Sequence, residues 1–339
     1  MKVARIHGGG DLRIDDVSPP EPAPGEALIR VTACGVCPSD VRAYSGARGN
    51  SSNLPRTPGH EWTGVITSLD AETSAATGFA VGDRVVPDWR VVCGRCHYCR
   101  RGVFNYCRDL GHIRGGFAEW GTAAATNLRR IPDCVKDEEA IFTEPLACCI
   151  NGSMESRISL GDDVVIVGAG PIGLQHMQLA RAQGARVIVS DPLASRLEVA
   201  QRLGAHDVID VSQGDPVQRV LELTDGLGAN TVIVAVGHPT PLNQGLRMAG
   251  INGAVNFFAG TYPPTELAVD PNLIHYKQLV VTGSHDFTPH DFTTALRLIE
   301  HKIVQVAPLI SHRFSLDQTK EAFDLVANRG GMKAVVLMN

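Results

Sequence analysis

Four of the chain's nine cysteines, Cys93, Cys96, Cys99 and Cys107, follow the spacing C-x2-C-x2-C-x7-C. Four thiolates satisfy tetrahedral zinc and leave no open position, so such a centre fixes a loop that lacks core of its own and performs no chemistry. A nucleic-acid-binding zinc module competes for the same residues, because Arg95, Arg100, Arg101 and Arg108 surround them. The formal net charge of -5 and the unpaired ligand spacing argue against that module and against nucleic acid as a partner.

A second constellation joins Cys37 in GVCPSD to His60 and Glu61 in GHE. One thiolate, one imidazole and one carboxylate can hold zinc and still leave a place for water or substrate, as a catalytic centre requires. Taken singly, each residue has a plainer explanation: a core thiol, a hydrogen-bonded turn histidine, a surface charge.

The third pattern is GAGPIG, with Gly168, Gly170 and Gly173 at dinucleotide-fingerprint spacing and Pro171 and Ile172 between them. Gly168 suits a tight turn, Gly170 admits a pyrophosphate to the backbone, and Gly173 allows close helix–strand packing. The helix that starts there offers free N–H groups to phosphate. Asp191 ends the next apolar run, about 20 residues on, where a carboxylate binds ribose hydroxyls and repels a 2′-phosphate. The expected cofactor is therefore NAD, with nearby Arg196 either moderating that preference or serving as a solvated helix residue.

These residues need a scaffold, and 339 residues are enough for two domains with a core in each. A hydrophobic content of 44% with 20% charged residues is ordinary for a globular chain. Up to about residue 121, short alternating runs at 27–31, 62–66 and 84–86 predict irregular β structure, and the proline-rich stretch 18–25 predicts a surface connection. From Asp162 onward, six β-branched runs at 164–167, 187–189, 208–210, 231–236, 255–258 and 279–282 alternate with helical segments, which predicts a doubly wound parallel sheet. Helices are expected at 196–203, 292–301 and 318–328, the last two returning to the first domain. The N-terminal residues break into glycines before any apolar run, and no stretch has the length and apolarity of a membrane span. The expected setting is cytoplasmic, without a membrane partner.

Taken in order, GVCPSD, PGHEWTG, the four-cysteine lobe, GGFAEW, TEPLACC, GAGPIG and KAVVLM resemble the zinc-containing medium-chain dehydrogenase family over essentially the whole chain, and its polyol (sorbitol-type) branch in particular. The resemblance implies an α/β protein: a GroES-like, mostly β catalytic domain built from residues 1–146 and 284–339, enclosing a Rossmann NAD-binding domain at 147–283. It implies one catalytic and one structural zinc per chain and a homodimer or homotetramer. Cys37 and His60 match the catalytic ligands, and Ser39 matches the hydroxyl that passes the substrate proton away. Glu61 matches a carboxylate that ligates zinc in some members and sits behind it in others. Glu144 matches the position from which polyol dehydrogenases supply a carboxylate to zinc or its water, with Cys148 a nearby competitor. Pro38 replaces a common glycine, and Arg42, Ala43, Asp286 and Phe287 stand where sorbitol-type enzymes carry other residues, at positions where substrate hydroxyls would be read, so the resemblance does not extend to sorbitol itself as the substrate.

The expected reaction is oxidation of a secondary hydroxyl of a small polyol or cyclitol to a ketone, with Ser39, Glu61 and Glu144 as the catalytic side chains. The alternatives are a dehydrogenase for an amino alcohol such as threonine or for a simple alcohol, and a non-catalytic zinc and dinucleotide binder.

Overall fold

The computed structural model describes residues 1–46, 54–113 and 115–338. The chain forms two compact units, one of residues 1–145, 288–300 and 306–339, the other of residues 146–287 and 301–305.

The first unit is built on a seven-stranded sheet. Its strands run Ile310–Ser315, Lys333–Leu337, Glu26–Gly35, Glu61–Ser68, Arg84–Pro87 and Leu128–Arg130 in spatial order, and Trp120–Ala124 also pairs with Glu26–Gly35. Alternation in EALIRVTACG points Ala27, Ile29 and Val31 into a core shared with Trp62, Ile66, Phe117, Phe323 and Val336. The last strand thereby brings C-terminal residues beside N-terminal ones, with Gly35 paired to Glu61 on one side and Val335 on the other.

The second unit carries a six-stranded, all-parallel sheet in the order Asp207–Asp210, Arg186–Asp191, Asp163–Val167, Ala229–Val234, Ala249–Phe257, Val280–Gly283. Both faces of a parallel sheet are covered, which is why the central strands Arg186–Asp191, Asp163–Val167 and Ala229–Val234 carry continuous buried runs rather than alternating ones. Strand order reverses at Asp163–Val167, and ligands of such sheets bind at the carboxyl ends of the strands beside that switch point. Helices Pro171–Ala182 and Ala194–Arg202 follow the first two strands. Helices Pro289–Glu300 and Thr319–Ala327 occupy the two C-terminal helical stretches. Among the described residues no helix is long and apolar enough to cross a membrane.

Within the parallel-sheet unit, His176 is fully buried on helix Pro171–Ala182, edge-on to Phe258 at 4.5 Å, and neither ring nitrogen has a hydrogen-bond partner among the described residues. Burial pushes its pKa down to about 3, so the native state holds it neutral. Between the ordinary value of 6.5 and 3, the unfolded chain binds a proton that the folded one refuses. Stability is therefore complete above pH 6.5 and is lost as pH falls toward 3. Replacing His176 by Leu is expected to move acid unfolding to lower pH, with a gain over the parent of about 3 kcal/mol at pH 4 relative to pH 7. Parallel stability–pH curves for the two proteins would show that other groups set the acid limit.

Candidate functional site

The sequence CPSD folds into a helix start that the β reading of this region did not anticipate. Cys37 is the N-cap of helix Pro38–Tyr44, with φ -96° and ψ 144°, and Pro38 takes the first helical position. Proline suits that place because its missing N–H would have no partner there, so its effect is to begin a helix. Cys37 Sγ accepts the Ser39 N–H at 3.5 Å and the Ser39 hydroxyl at 3.3 Å, while Asp40 Oδ2 accepts the Cys37 N–H at 3.3 Å. This is a capping box with a thiol in place of the usual hydroxyl.

Asp40 also reaches the second segment. Its Oδ1 accepts the Gly59 N–H at 3.2 Å and lies 3.5 Å from His60 Nδ1. A carboxylate on one imidazole nitrogen fixes the tautomer and aims the other at a metal. Burial alone would raise the Asp40 carboxyl, but His60 and the N–H groups of Gly59 and Cys37 outweigh it and hold it below the usual range. Burial pushes His60 down, yet Asp40 and Cys37 prevail and lift it well above an ordinary histidine. A metal needs the ligating nitrogen unprotonated, so its affinity weakens as pH is lowered.

The other nitrogen, His60 Nε2, lies 3.8 Å from Glu144 Oε1. Glu144 sits in the first turn of helix Thr143–Glu155, is 6% exposed, and accepts the Trp89 indole N–H at 3.0 Å. Glu61, 2% exposed at the start of its strand, forms an ion pair with the buried ammonium of Lys333. Donor atoms of Cys37, His60 and Glu61 all lie within 4.8 Å of one another. A thiolate, an imidazole and one carboxylate are a donor set that fits zinc and leaves a position open. Glu144 stands beside this cluster at His60, and Cys148, on the same helix as Glu144, is not one of its members.

Cys93, Cys96, Cys99 and Cys107 likewise converge within 4.8 Å. The Cys93 N–H points at Cys107 Sγ at 3.3 Å, and the Cys96 N–H at Cys93 Sγ at 3.4 Å. Backbone N–H groups of Cys99 and Arg108 draw the Cys96 thiol down to about 6. Burial pushes Cys99 up to about 12, so that thiol ionises only with a metal to stabilise it. The set fits a closed structural zinc.

In the other unit Gly168 follows strand Asp163–Val167 with φ +105°, a left-handed conformation that other residues rarely adopt, while a Cβ on Gly173 would run into the Gly168 carbonyl. Gly170 caps helix Pro171–Ala182, Pro171 is its first residue, and Ile172 accepts a hydrogen bond from Cys149. Asp191 is 4% exposed; its Oδ2 accepts the Ala169 N–H at 2.8 Å and its Oδ1 the Leu193 N–H at 2.9 Å. Arg196 Nη1 lies 4.0 Å from Asp191 Oδ2 and close to Gly170. Phe287 is fully buried, which suits packing rather than contact with a hydroxylated ligand.

Asp40, Trp89 and Lys333 went unremarked in the sequence reading. The first and last were within reach, since Asp40 lies inside GVCPSD and Lys333 opens KAVVLM.

Known proteins fit this arrangement. The alcohol dehydrogenase GroES-like domain matches residues 23–133, and the zinc-binding dehydrogenase domain matches residues 171–301. The chain is 33% identical to the erythritol/L-threitol dehydrogenase of Mycolicibacterium smegmatis, over 97% of this chain and 94% of that one. It is 34% identical to the L-threonine 3-dehydrogenase of Pyrococcus horikoshii, over 96% and 95%. A crystal structure from Sinorhizobium meliloti 1021, described as a zinc-binding dehydrogenase bound to NADP, superimposes with a TM-score of 0.91 at 32% identity, covering 99% and 98%. The protein is an alcohol dehydrogenase, and it belongs to the zinc-containing medium-chain dehydrogenase family, in its polyol branch.

Proposed function

We propose that the chain oxidises a secondary hydroxyl of a small polyol or cyclitol to the ketone. The observation that carries this reading is the buried carboxylate of Glu144, held beside His60 Nε2 by the Trp89 indole. A buried carboxylate beside the reacting hydroxyl suits a substrate with a second, adjacent hydroxyl to donate to it. When bound, zinc at Cys37 and His60 supplies Lewis acidity toward the substrate oxygen, and NAD at the glycine turn supplies the hydride acceptor.

The chain's own groups do the rest. Ser39 Oγ, which donates to Cys37 Sγ at 3.3 Å in this structure, would relay the substrate proton by turning its own proton away from the thiol and passing it toward solvent as it accepts the proton of the substrate hydroxyl. Asp40 keeps His60 in one tautomer, and Asp191, anchored by two backbone N–H groups, presents its remaining lone pairs to a ribose diol. A second reading, an amino alcohol such as L-threonine, is favoured by the Pyrococcus relative and would use the same carboxylate to meet an ammonium group.

The experiment is a substrate screen by NADH fluorescence over tetritols, pentitols, hexitols, cyclitols, L-threonine and monohydric secondary alcohols, with NAD and NADP in parallel and zinc measured on the same sample. Two zinc ions per chain and turnover highest on a polyol are expected. Repulsion between Asp191 and a 2′-phosphate, moderated by Arg196, sets NAD ahead of NADP by at least ~10-fold in kcat/KM. Turnover restricted to L-threonine would replace the polyol assignment, and equal efficiency with both cofactors would remove the role given to Asp191.

A further inference from the structure

Trp89 stands between two buried charged residues, Asp88 and Arg90, yet is itself only half buried. Charges taken out of water need partners, and Arg90 Nε lies 3.8 Å from Asp88 Oδ1, an oxygen that also accepts the Arg90 N–H at 3.1 Å. The backbone around the indole is fixed from several sides. The Asn127 amide donates to the Asp88 carbonyl at 3.0 Å and to the Arg90 carbonyl at 2.8 Å, and Asn127 O accepts the Asp88 N–H at 2.8 Å. The Trp89 carbonyl accepts the Ile113 N–H at 2.7 Å, and Arg90 opens the short strand Arg90–Val91, which pairs with Gly111–His112.

The side chain is fixed as well. Its N–H donates to Glu144 at 3.0 Å, the His112 ring stacks on it with centroids 5.2 Å apart and planes 17° apart, and the His60 ring lies 5.5 Å away. An indole is thus held in one orientation, with part of its surface open, beside both His60 and Glu144. We propose that Trp89 is a specificity-determining residue, an aromatic wall that receives the C–H face of a ring and makes the substrate a cyclitol rather than an open-chain polyol. The proposal deepens the polyol reading and rests on it.

The selection follows from shape and charge. The π face of an aromatic ring is negative and attracts weakly positive C–H groups. A cyclohexane chair with equatorial hydroxyls gathers its axial C–H bonds on its faces and its hydroxyls around its rim. The rim supplies adjacent hydroxyls for the metal and Glu144 while one face lies on Trp89. An open-chain polyol spreads its hydroxyls along a flexible chain, so it has no such face and loses more conformational freedom on binding.

The test compares myo-inositol with D-mannitol on the zinc-loaded, full-length protein with NAD. The parent should oxidise myo-inositol with a kcat/KM at least ~10-fold above that for D-mannitol, the scale of one aromatic face contact. Trp89→Phe and Trp89→Leu both lose the N–H to Glu144, a loss common to the two substrates that cancels in their ratio. Phe keeps a ring and should hold the ratio within ~3-fold of the parent. Leu has none and should lower it by ~10-fold, through KM for myo-inositol rather than kcat. A second measurement needs no turnover: without NAD, myo-inositol should change the indole emission of the parent and not that of Trp89→Phe, whose remaining tryptophans are Trp62 and Trp120. A parent that oxidises D-mannitol as efficiently as myo-inositol overturns the proposal and leaves the polyol reading standing. A Trp89→Leu protein with the parent's ratio, or an emission change that persists in Trp89→Phe, also overturns it. Turnover of L-threonine with neither myo-inositol nor D-mannitol would remove the polyol reading itself, and this proposal with it.

Discussion

Replacing Glu144 by Ala should lower turnover of vicinal diols by at least ~100-fold, comparable with the loss of a group that supports a metal site, while NADH binding stays nearly intact. The carboxylate is buried, 3.8 Å from His60 Nε2 and tied to the Trp89 indole, so the substitution removes charge from the face of the imidazole that points toward the metal. NADH binding should survive because the glycine turn and Asp191 belong to the other compact unit. Two further variants separate charge from shape. Glu144→Gln can still accept the Trp89 N–H but cannot neutralise a cation, so it should resemble Ala in polyol turnover. Glu144→Cys should keep zinc and favour simpler alcohols. The measurement pairs steady-state rates on a polyol and a monohydric secondary alcohol with zinc content and NADH titration. If Glu144→Ala keeps full polyol turnover with normal zinc, the carboxylate is a bystander and the polyol assignment loses its main support.

The parallel-sheet unit was the most legible part of the chain because its signals are local. Its central strands carry compact β-branched runs, such as VVIV in Asp163–Val167, and GAGPIG lies between a strand and a helix, where its glycines have conformational work to do. The four-cysteine lobe is equally local, all its ligands falling within residues 93–107. Helix Pro38–Tyr44 was hidden by its composition: only seven residues, opening on a proline and capped by a thiol rather than a hydroxyl. Lys333 was hidden by distance. It is 272 residues from Glu61, and the two meet only because the C-terminal strand pairs beside Glu26–Gly35, whose other neighbour begins at Glu61. Periodicity can place each strand but not their order across a sheet, and here the order is what assembles the charges.

Asp40 illustrates how much a single unremarked residue can hold. Its two oxygens join three points: the Cys37 N–H, the Gly59 N–H and His60 Nδ1. Cys37 and His60 come from segments more than twenty residues apart, and Asp40 sets the position of one and the tautomer of the other. Asp40→Ala is therefore expected to weaken metal binding at Cys37 and His60 by 10–100-fold, and to destabilise the unit by about 1–3 kcal/mol for each N–H left without its acceptor. Asp40→Asn should recover only part of the loss. An amide has one oxygen, so its NH2 must face either the Cys37 or the Gly59 N–H, donor against donor. Competition with a chromogenic chelator reads the affinity, and the four-cysteine zinc, whose ligands do not touch Asp40, serves as the internal reference. A variant that unfolds slightly more easily yet holds both metals as the parent does would reduce Asp40 to a helix cap. Loss of the Cys37/His60 metal at unchanged lobe occupancy is the result that makes it part of the metal site, because a cap alone has no reason to distinguish one zinc from the other.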